Sequence, residues 1–189
     1  MNLNRKLILA SNSPRRKELL GKLDLAFEVR IKDVPEEYPP HLSREQVAEF
    51  LAQHKADAYL AGLAPEEVLI TADTIVCLGD LVLNKPRDEA EALQMLRLLS
   101  GQVHEVITGV CLLARHKTTV FHDLTRVHFK ELSDVEITHY VSTYRPLDKA
   151  GAYGAQEWLG MIGVDRIEGS YFNVMGLPVH KLYAELQLF

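Results

Sequence analysis

Cysteine is scarce in this chain, which has two cysteines among its 189 residues. Neither Cys77 nor Cys111 belongs to a C-x-x-C pair, and both lie in apolar runs that are typical of β-strands. The scarcity excludes a disulfide framework of the kind that small secreted proteins use. We therefore interpret both cysteines as small core residues of a protein from a reducing compartment.

Long apolar runs and an excess of positive charge are missing as well. The longest apolar run near the N-terminus, residues 7–10, is far shorter than a signal peptide's apolar region or a membrane span. We therefore expect a cytoplasmic protein with no membrane contact. The formal net charge of −5 argues against a protein that holds nucleic acid by a general basic field, so any anion must be bound locally.

Several motifs of known chemistry are also absent. The eight histidines are scattered, without H-E-x-x-H or paired Cys/His spacing, so a zinc site is not expected. The chain has no G-x-x-x-x-G-K-[ST], no G-x-G-x-x-G and no G-x-S-x-G. These absences exclude a P-loop, a Rossmann dinucleotide site and the nucleophile elbow of a serine hydrolase.

Strand and helix patterns alternate along the chain, which predicts an α/β protein. Strands are predicted at residues 7–10 and in the stretches "AFEVRIKDV", "VLITADTIVCL", "LVL", "HEVITGVCLLA" and "TTVFHDLTRVHF". Helices are predicted to begin at capping or first-turn residues, namely Ser13 with Pro14, Ser43, Asp88, Ser133 and Pro178. The helix that begins at Ser43 is expected to bury one face, formed by Val47, Phe50, Leu51, His54 and Ala58, with Lys55 at its border.

The first helix carries two arginines where helix electrostatics favour acids. Ser13 and Pro14 place Arg15 and Arg16 in the first turn, beside the positive end of the helix dipole and the unpaired backbone N–H groups. Together with the Ser11 and Ser13 hydroxyls, these groups could form a phosphate cradle. The alternative is a capped surface helix with two solvated arginines, and this stretch alone leaves both open.

Asp73 interrupts the otherwise apolar stretch "LITADTIVCL". A carboxylate in a central strand is costly to bury without a partner, so metal binding or general-base chemistry would explain it. The alternative is a strand-end aspartate bonded to local backbone. Glu36 and Glu37 could supply a further metal-ligating oxygen, since Mg²⁺ typically uses one or two carboxylates plus substrate phosphates. Loop glutamates of this kind are otherwise simply solvated.

Two more stretches could contact a nucleotide. Lys85, between the "LVLN" strand and Pro86, could place a point charge against a phosphate, or it could be a solvated loop lysine. In "DKAGAYGAQ", Gly151 and Gly154 permit a close backbone approach, and the amide of Gln156 matches the donor and acceptor edge of a nucleobase. A glycine-rich turn without a ligand would show the same pattern.

Six stretches, in this order, together resemble the Maf family of nucleoside triphosphate pyrophosphatases, also called septum formation proteins: "LASNSPRRKELL", "TADTIV", "NKPRD", "MLRLLSGQVHEVITGV", "PLDKAGAYGAQ" and "IEGSYFNVMGLP". The resemblance covers nearly the whole chain. It implies a single Maf-like α/β domain over residues 1–189, with a mixed, elongated, twisted β-sheet flanked by helices and two lobes with a cleft between them. The "KPRD" block and the loop glutamine resemble the branch that acts on dTTP and UTP.

The resemblance also implies an activity and a set of site residues. The activity is hydrolysis of dTTP and UTP to the monophosphate and pyrophosphate, in a house-cleaning role linked to arrest of cell division. Asp73 would be the catalytic base and a metal ligand with Glu37, and the cofactor would be Mg²⁺ or Mn²⁺. The resemblance implies a homodimer that binds a nucleoside triphosphate and no nucleic acid. The residues implied to bind substrate are Ser11, Arg15, Arg16, Lys55, Thr74, Lys85 and Gln156.

The sequence departs from the family pattern at two positions. Thr71 stands where the family usually has glycine before "ADT", and Glu157 replaces the second glycine of the common "GIQG". We expect Thr71 to matter little, whereas Glu157 leaves the base preference open. Two alternatives therefore remain: the same chemistry on another base, such as 7-methyl-GTP or inosine triphosphate, or a nucleotide-binding regulator of septum formation that does not turn over.

Overall fold

The structure is a computed structural model that describes residues 5–189. In this range the helices are α1 (Pro14–Gly21), α2 (Arg44–Asp57), α3 (Glu89–Leu99), α4 (Asp134–Tyr144), α5 (Trp158–Gly163), α6 (Tyr171–Val174) and α7 (Val179–Leu188). The strands are β1 (Lys6–Leu9), β2 (Phe27–Val29), β3 (Glu67–Leu78), β4 (Leu81–Leu83), β5 (Val103–Ala114), β6 (Lys117–Phe129) and β7 (Val164–Glu168). The predicted α/β class is confirmed.

The described strands form one seven-stranded sheet in the order β2-β1-β3-β5-β6-β7, with β4 paired to β3. Strand β1 pairs in parallel with both β2 and β3, whereas β4 is antiparallel to β3 and β7 is antiparallel to β6. The sheet is therefore mixed, as predicted. Among the described residues, no helix is long and apolar enough to cross a membrane.

The chain divides into two compact units, and each has its own core. Unit 1 contains residues 5–73, 108–123 and 176–189, and unit 2 contains residues 74–107 and 124–175. A core cluster of unit 1 consists of Ile8, Ala52, Ala56, Tyr59, Leu63, Leu69, Cys111 and Leu113. The core of unit 2 packs α3 and α4 against β5 and β6 around residues such as Leu96, Leu99, Val106, Val127 and Tyr140.

The predicted helix caps are present. Ser13, Ser43, Asp88 and Ser133 each accept a hydrogen bond from the backbone N–H three residues later, and Ser43 and Ser133 form complete capping boxes. Pro178 is the cap rather than the first residue of α7. Both cysteines are buried and neither forms a disulfide, and burial raises the pKa of the Cys111 thiol to about 12. Their interpretation as core residues is confirmed.

The predicted buried face of α2 is partly wrong. Val47 and Leu51 are buried as expected, but His54 and Ala58 are exposed. The remaining buried residues of the helix are all alanines, namely Ala48, Ala52 and Ala56. The reason is close packing against β5: a Cβ on Gly109 would lie 2.2 Å from the backbone oxygen of Ala48. At such a short separation only small side chains fit between the helix and the strand.

Two further sequence predictions differ from the structure. The stretch "AFEVRIKDV" contributes only the three residues of β2, because β1 ends at Leu9 and offers no partner beyond Val29. The glycine-rich region after residue 150 contains α5, β7 and α6, which the sequence pattern did not predict. These elements are short, so tertiary packing rather than intrinsic propensity accounts for them.

Candidate active site

The first turn of α1 is ordered by serine caps. Ser13 Oγ accepts from Arg16 N at 3.4 Å, and Ser11 Oγ accepts from Ser13 N at 3.2 Å. Pro14 occupies the first helical position, and the first turn contains no acidic residue. The turn therefore offers an electropositive end that could receive an anion.

Arg16 has partners that sequence reasoning missed. Its Nε donates to the Gly176 carbonyl at 2.7 Å, and its Nη1 donates to the Ala72 carbonyl at 2.8 Å. Burial lowers the pKa of Arg16 below its usual value, while the negative charges of Asp73 and Glu36 act in the opposite direction. The guanidinium thus ties the start of α1 to the strand residue that precedes Asp73.

Asp73 lies in a charged cluster of unit 1. Its residue is 7% exposed, and its Oδ1 accepts a hydrogen bond from the ammonium group of Lys55. The same Lys55 Nζ donates to Glu36 Oε1 at 2.7 Å. One lysine therefore brings two carboxylates together, and the alternative of an aspartate bonded only to local backbone does not hold.

The fold fixes Lys55 relative to Asp73 through contacts between α2 and the sheet. Thr71 Oγ1 donates to the Ala52 carbonyl at 2.6 Å, one helical turn before Lys55. The close approach of α2 to Gly109 presses the same helix against β5. Thr71 thus joins the strand that carries Asp73 to the helix that carries Lys55.

The Asp73 and Glu36 carboxylates are candidate ligands for a divalent cation. In the described part of the chain, no group of three or more His, Cys, Asp or Glu side chains is placed to hold a metal. Mg²⁺ commonly takes one or two protein carboxylates and completes its shell with phosphates and water. Asp73 and Glu36 match that donor set, since both reach the Lys55 ammonium. Both Glu36 and the predicted ligand Glu37 are exposed, but only the Glu36 carboxylate is placed here by a contact with Lys55, and the role of Glu37 stays a prediction.

The remaining predicted substrate-binding residues, Thr74, Lys85 and Gln156, belong to unit 2. Thr74 is half-buried on β3, immediately after Asp73, and Lys85 is exposed after β4. Gln156 is half-buried, and its Oε1 is fully buried without a hydrogen-bond partner among the described residues. A buried acceptor without a donor is costly, which makes this amide a candidate for ligand contact.

The loop before Gln156 contains two glycines that have little room for a side chain. Gly151 has φ of +67°, and a Cβ there would lie 3.0 Å from the Val76 side chain. A Cβ on Gly154 would lie 2.9 Å from the carboxyl carbon of Glu157 and 3.2 Å from Gln156 Nε2. Other groups do approach the backbone of both glycines closely, as predicted. In this structure those groups are side chains of the protein itself.

Sequence reasoning missed Tyr140 and Lys149, which both contact Glu157. Tyr140 lies on the buried face of α4. Nothing in the sequence around it indicates that its hydroxyl contacts a charged group. Lys149 directly precedes the glycine-rich loop. A charged residue within the otherwise small and apolar stretch "KAGAYGA" was the signal that could have identified it. Its side chain is only 9% exposed.

Comparisons with known proteins agree with the resemblance. The family profile described as Maf-like protein matches residues 6–189. The dTTP/UTP pyrophosphatase of Phocaeicola vulgatus is 54% identical over 183 residues, which cover 96% of this chain and 95% of that protein. The dTTP/UTP pyrophosphatase of Porphyromonas gingivalis is 52% identical over 187 residues, covering 97% of this chain and 94% of that protein.

A solved structure gives the same fold at low sequence identity. The Ham1 protein of Staphylococcus aureus matches with a TM-score of 0.53 and 16% identity, covering 97% of this chain and 98% of that one. This likeness concerns the fold alone. The profile match and the high identity to the curated relatives together show that the chain belongs to the Maf family.

Proposed function

We propose that this chain is a nucleoside triphosphate pyrophosphatase that hydrolyses dTTP and UTP to the monophosphate and pyrophosphate. The observation that carries the proposal is the buried Asp73 carboxylate, held by Lys55 together with Glu36. A protein that only bound a polyanion would gain nothing from a buried acid at this point, whereas hydrolysis needs a proton acceptor. The choice of bases follows the curated relatives, which are about half identical and carry that activity in their names.

The reaction is a displacement at the α-phosphorus. Water gives a proton to the Asp73 carboxylate as its oxygen bonds to the α-phosphorus, and the bond from that phosphorus to the bridging oxygen breaks. The electron pair of this bond leaves with pyrophosphate. Lys55 orients the Asp73 carboxylate, and cationic side chains at the start of α1 offset the charge that grows on the leaving group.

A bound Mg²⁺ or Mn²⁺ would lower the pKa of coordinated water and neutralise phosphate charge. Asp73 and Glu36 are the residues that would hold it, with Glu37 as the further candidate from the family resemblance. Ser11 and Arg15 are proposed phosphate ligands at the first turn of α1. Arg16 is proposed to act there through the contacts that fix this turn.

Base selection is assigned to unit 2. Gln156 is proposed to read the base edge, because its carboxamide oxygen is buried and lacks a donor among the described residues. Thr74 and Lys85 are proposed substrate contacts by the family resemblance. We further propose that the enzyme is a homodimer that acts in the cytoplasm, where its nucleotide substrates are found.

The test is a panel of canonical and modified nucleoside triphosphates, assayed for pyrophosphate release with Mg²⁺ or Mn²⁺. We expect kcat/KM for dTTP and for UTP to exceed that for CTP by at least about tenfold, and to differ from each other by less than about tenfold, since a methyl group alone gives modest discrimination. Preference for a purine triphosphate would overturn the choice of base. Binding without pyrophosphate release would overturn the enzymatic function and favour a nucleotide-binding regulator.

A further inference from the structure

Glu157 is the centre of a polar network in unit 2. Its Oε1 forms an ion pair with Lys149 Nζ at 3.1 Å, and its Oε2 accepts a hydrogen bond from the Tyr140 hydroxyl. Tyr140 Oη in turn accepts from Gly154 N at 3.1 Å, and Glu157 N donates to the Gly154 carbonyl at 3.0 Å. The network therefore closes around the turn that contains Gln156.

The network is buried enough to have one favoured arrangement. Tyr140 is fully buried, and the side chains of Lys149 and Glu157 are 9% and 22% exposed. Lys149 Nζ also donates to Asp148 Oδ1 at 2.7 Å, so the ammonium lies between two carboxylates. Burial and the neighbouring Glu157 carboxylate both raise the pKa of Tyr140, so its hydroxyl keeps the proton that it donates. We therefore expect Tyr140, Lys149 and Glu157 to keep one shared arrangement of their side chains.

The Gln156 amide packs against the same turn as the Glu157 carboxylate. Gln156 Nε2 lies 3.2 Å from the position that a Cβ on Gly154 would occupy, and the carboxyl carbon of Glu157 lies 2.9 Å from it. Both side chains therefore cover the same glycine. Gln156 Oε1 is left buried, with no partner among the residues that the structure describes.

From these contacts we propose that Glu157 is a positioning residue for base selection: anchored by Lys149 and Tyr140, it fixes the turn over residues 154–157 and thereby holds the Gln156 carboxamide in one orientation. The inference rests on the proposed function, in which Gln156 reads the base.

Orientation matters because an amide can otherwise suit either of two pyrimidine edges. Uracil and thymine present an N3–H donor beside an O4 acceptor, whereas cytosine presents an N3 acceptor beside an amino donor. A carboxamide that rotates freely can pair with both. A carboxamide whose oxygen is held towards N3 accepts from uracil and thymine and repels cytosine, which is discrimination by an unfavourable contact.

The experiment measures kcat/KM for dTTP, UTP and CTP, with Mg²⁺, in the wild type and in Glu157→Gln, Tyr140→Phe and the double variant. We expect each single variant to lower the UTP-to-CTP ratio of kcat/KM by about threefold or more, because the amide gains freedom. The double variant should lower the ratio little beyond the single ones, because residues in one network are not additive. Asp165→Asn, an exposed carboxylate of the same unit, is the matched control and should keep the wild-type ratio.

The ratio separates positioning from simple loss of folding. Both substrates are measured on one preparation, so an inactive fraction of enzyme cancels, and a merely structural role would lower both activities without moving the ratio. An unchanged ratio in Glu157→Gln and in Tyr140→Phe would overturn the inference while the proposed function stands. A wild type that does not prefer UTP to CTP would instead show that the proposed reading of the base by Gln156 is wrong.

Discussion

At the scale of single residues, the proposed chemistry depends on Asp73, Lys55 and Arg16. Lys55 contacts the Asp73 carboxylate directly, and Arg16 bonds the carbonyl of the preceding residue, Ala72. Each contact orders the acid in a different way: Lys55 orients the carboxylate, and Arg16 holds its backbone. We therefore expect the loss of Arg16 to affect stability as well as activity.

Replacing the proposed base by Asp73→Asn should abolish pyrophosphate release while the fold is kept. The amide is nearly the same size as the carboxylate, but it cannot accept a proton from water. Thermal unfolding and the kcat for dTTP measure the two effects, with the exposed Asp33→Asn as the control. A folded Asp73→Asn variant that kept most of the wild-type kcat would contradict the assignment.

Arg16→Ala should lower both stability and activity. Sequence reasoning alone predicts unchanged or slightly raised stability, because a cation leaves a helix N-terminus. The structure reverses that expectation: the side chain donates to two carbonyls, and hydrogen bonds from a charged group contribute about 1.5–3 kcal/mol each. Denaturant unfolding should show a loss of about 2 kcal/mol or more, against little change in the exposed Lys17→Ala. Equal stabilities would indicate that the two contacts contribute nothing.

At the scale of elements, the packing of α2 on the sheet sets the position of Lys55. The helix presents alanines to β5 because Gly109 lets the two backbones approach closely, and Thr71 adds a hydrogen bond to the Ala52 carbonyl. Gly109 and Thr71 thus both help to fix the position of α2 on the sheet. The position of Lys55 therefore depends on Gly109 and Thr71, which are not among the proposed substrate-binding residues.

Gly109→Ala should therefore destabilise unit 1 and reduce activity together. The new Cβ would lie 2.2 Å from the Ala48 oxygen, so α2 or β5 must move, at a cost of about 1–3 kcal/mol or more. Gly62→Ala is the matched control, because a Cβ there has no heavy atom within 4 Å. Denaturant midpoints and kcat/KM for dTTP measure both effects. Similar behaviour of the two variants would show that the close approach is unimportant.

The whole molecule combines two units whose cores are built from different buried clusters. Each unit buries polar groups as well as apolar ones, and unit 2 buries His104, which is 1% exposed. Its Nε2 lies 2.7 Å from the Tyr153 hydroxyl, and its ring packs edge-on against Phe129. A neutral histidine in the core links the stability of the protein to pH.

Burial lowers the pKa of His104 to about 4 from its usual 6.5. Below pH about 6.5 the unfolded chain binds a proton that the native state does not, so the free energy of unfolding should fall as the pH drops to about 4, by up to about 3 kcal/mol. Unfolding in denaturant across this pH range measures the slope. His104→Gln should flatten the slope, whereas the exposed His116→Gln should not. Equal slopes in all three proteins would contradict the origin in His104.

The sequence by itself determined the features that depend on neighbours a few residues away. The helix caps, the α/β alternation, the acid within β3 and the family motifs were all readable, because capping and periodicity are local properties. Tertiary structure decided the rest. Arg16 finds its carbonyl partners 56 and 160 residues away, Lys55 meets Glu36 at a distance of 19 residues, and Glu157 joins Tyr140 from another helix. Such pairs form only when folding brings distant parts of the chain together, and no local pattern records which partner the packing supplies.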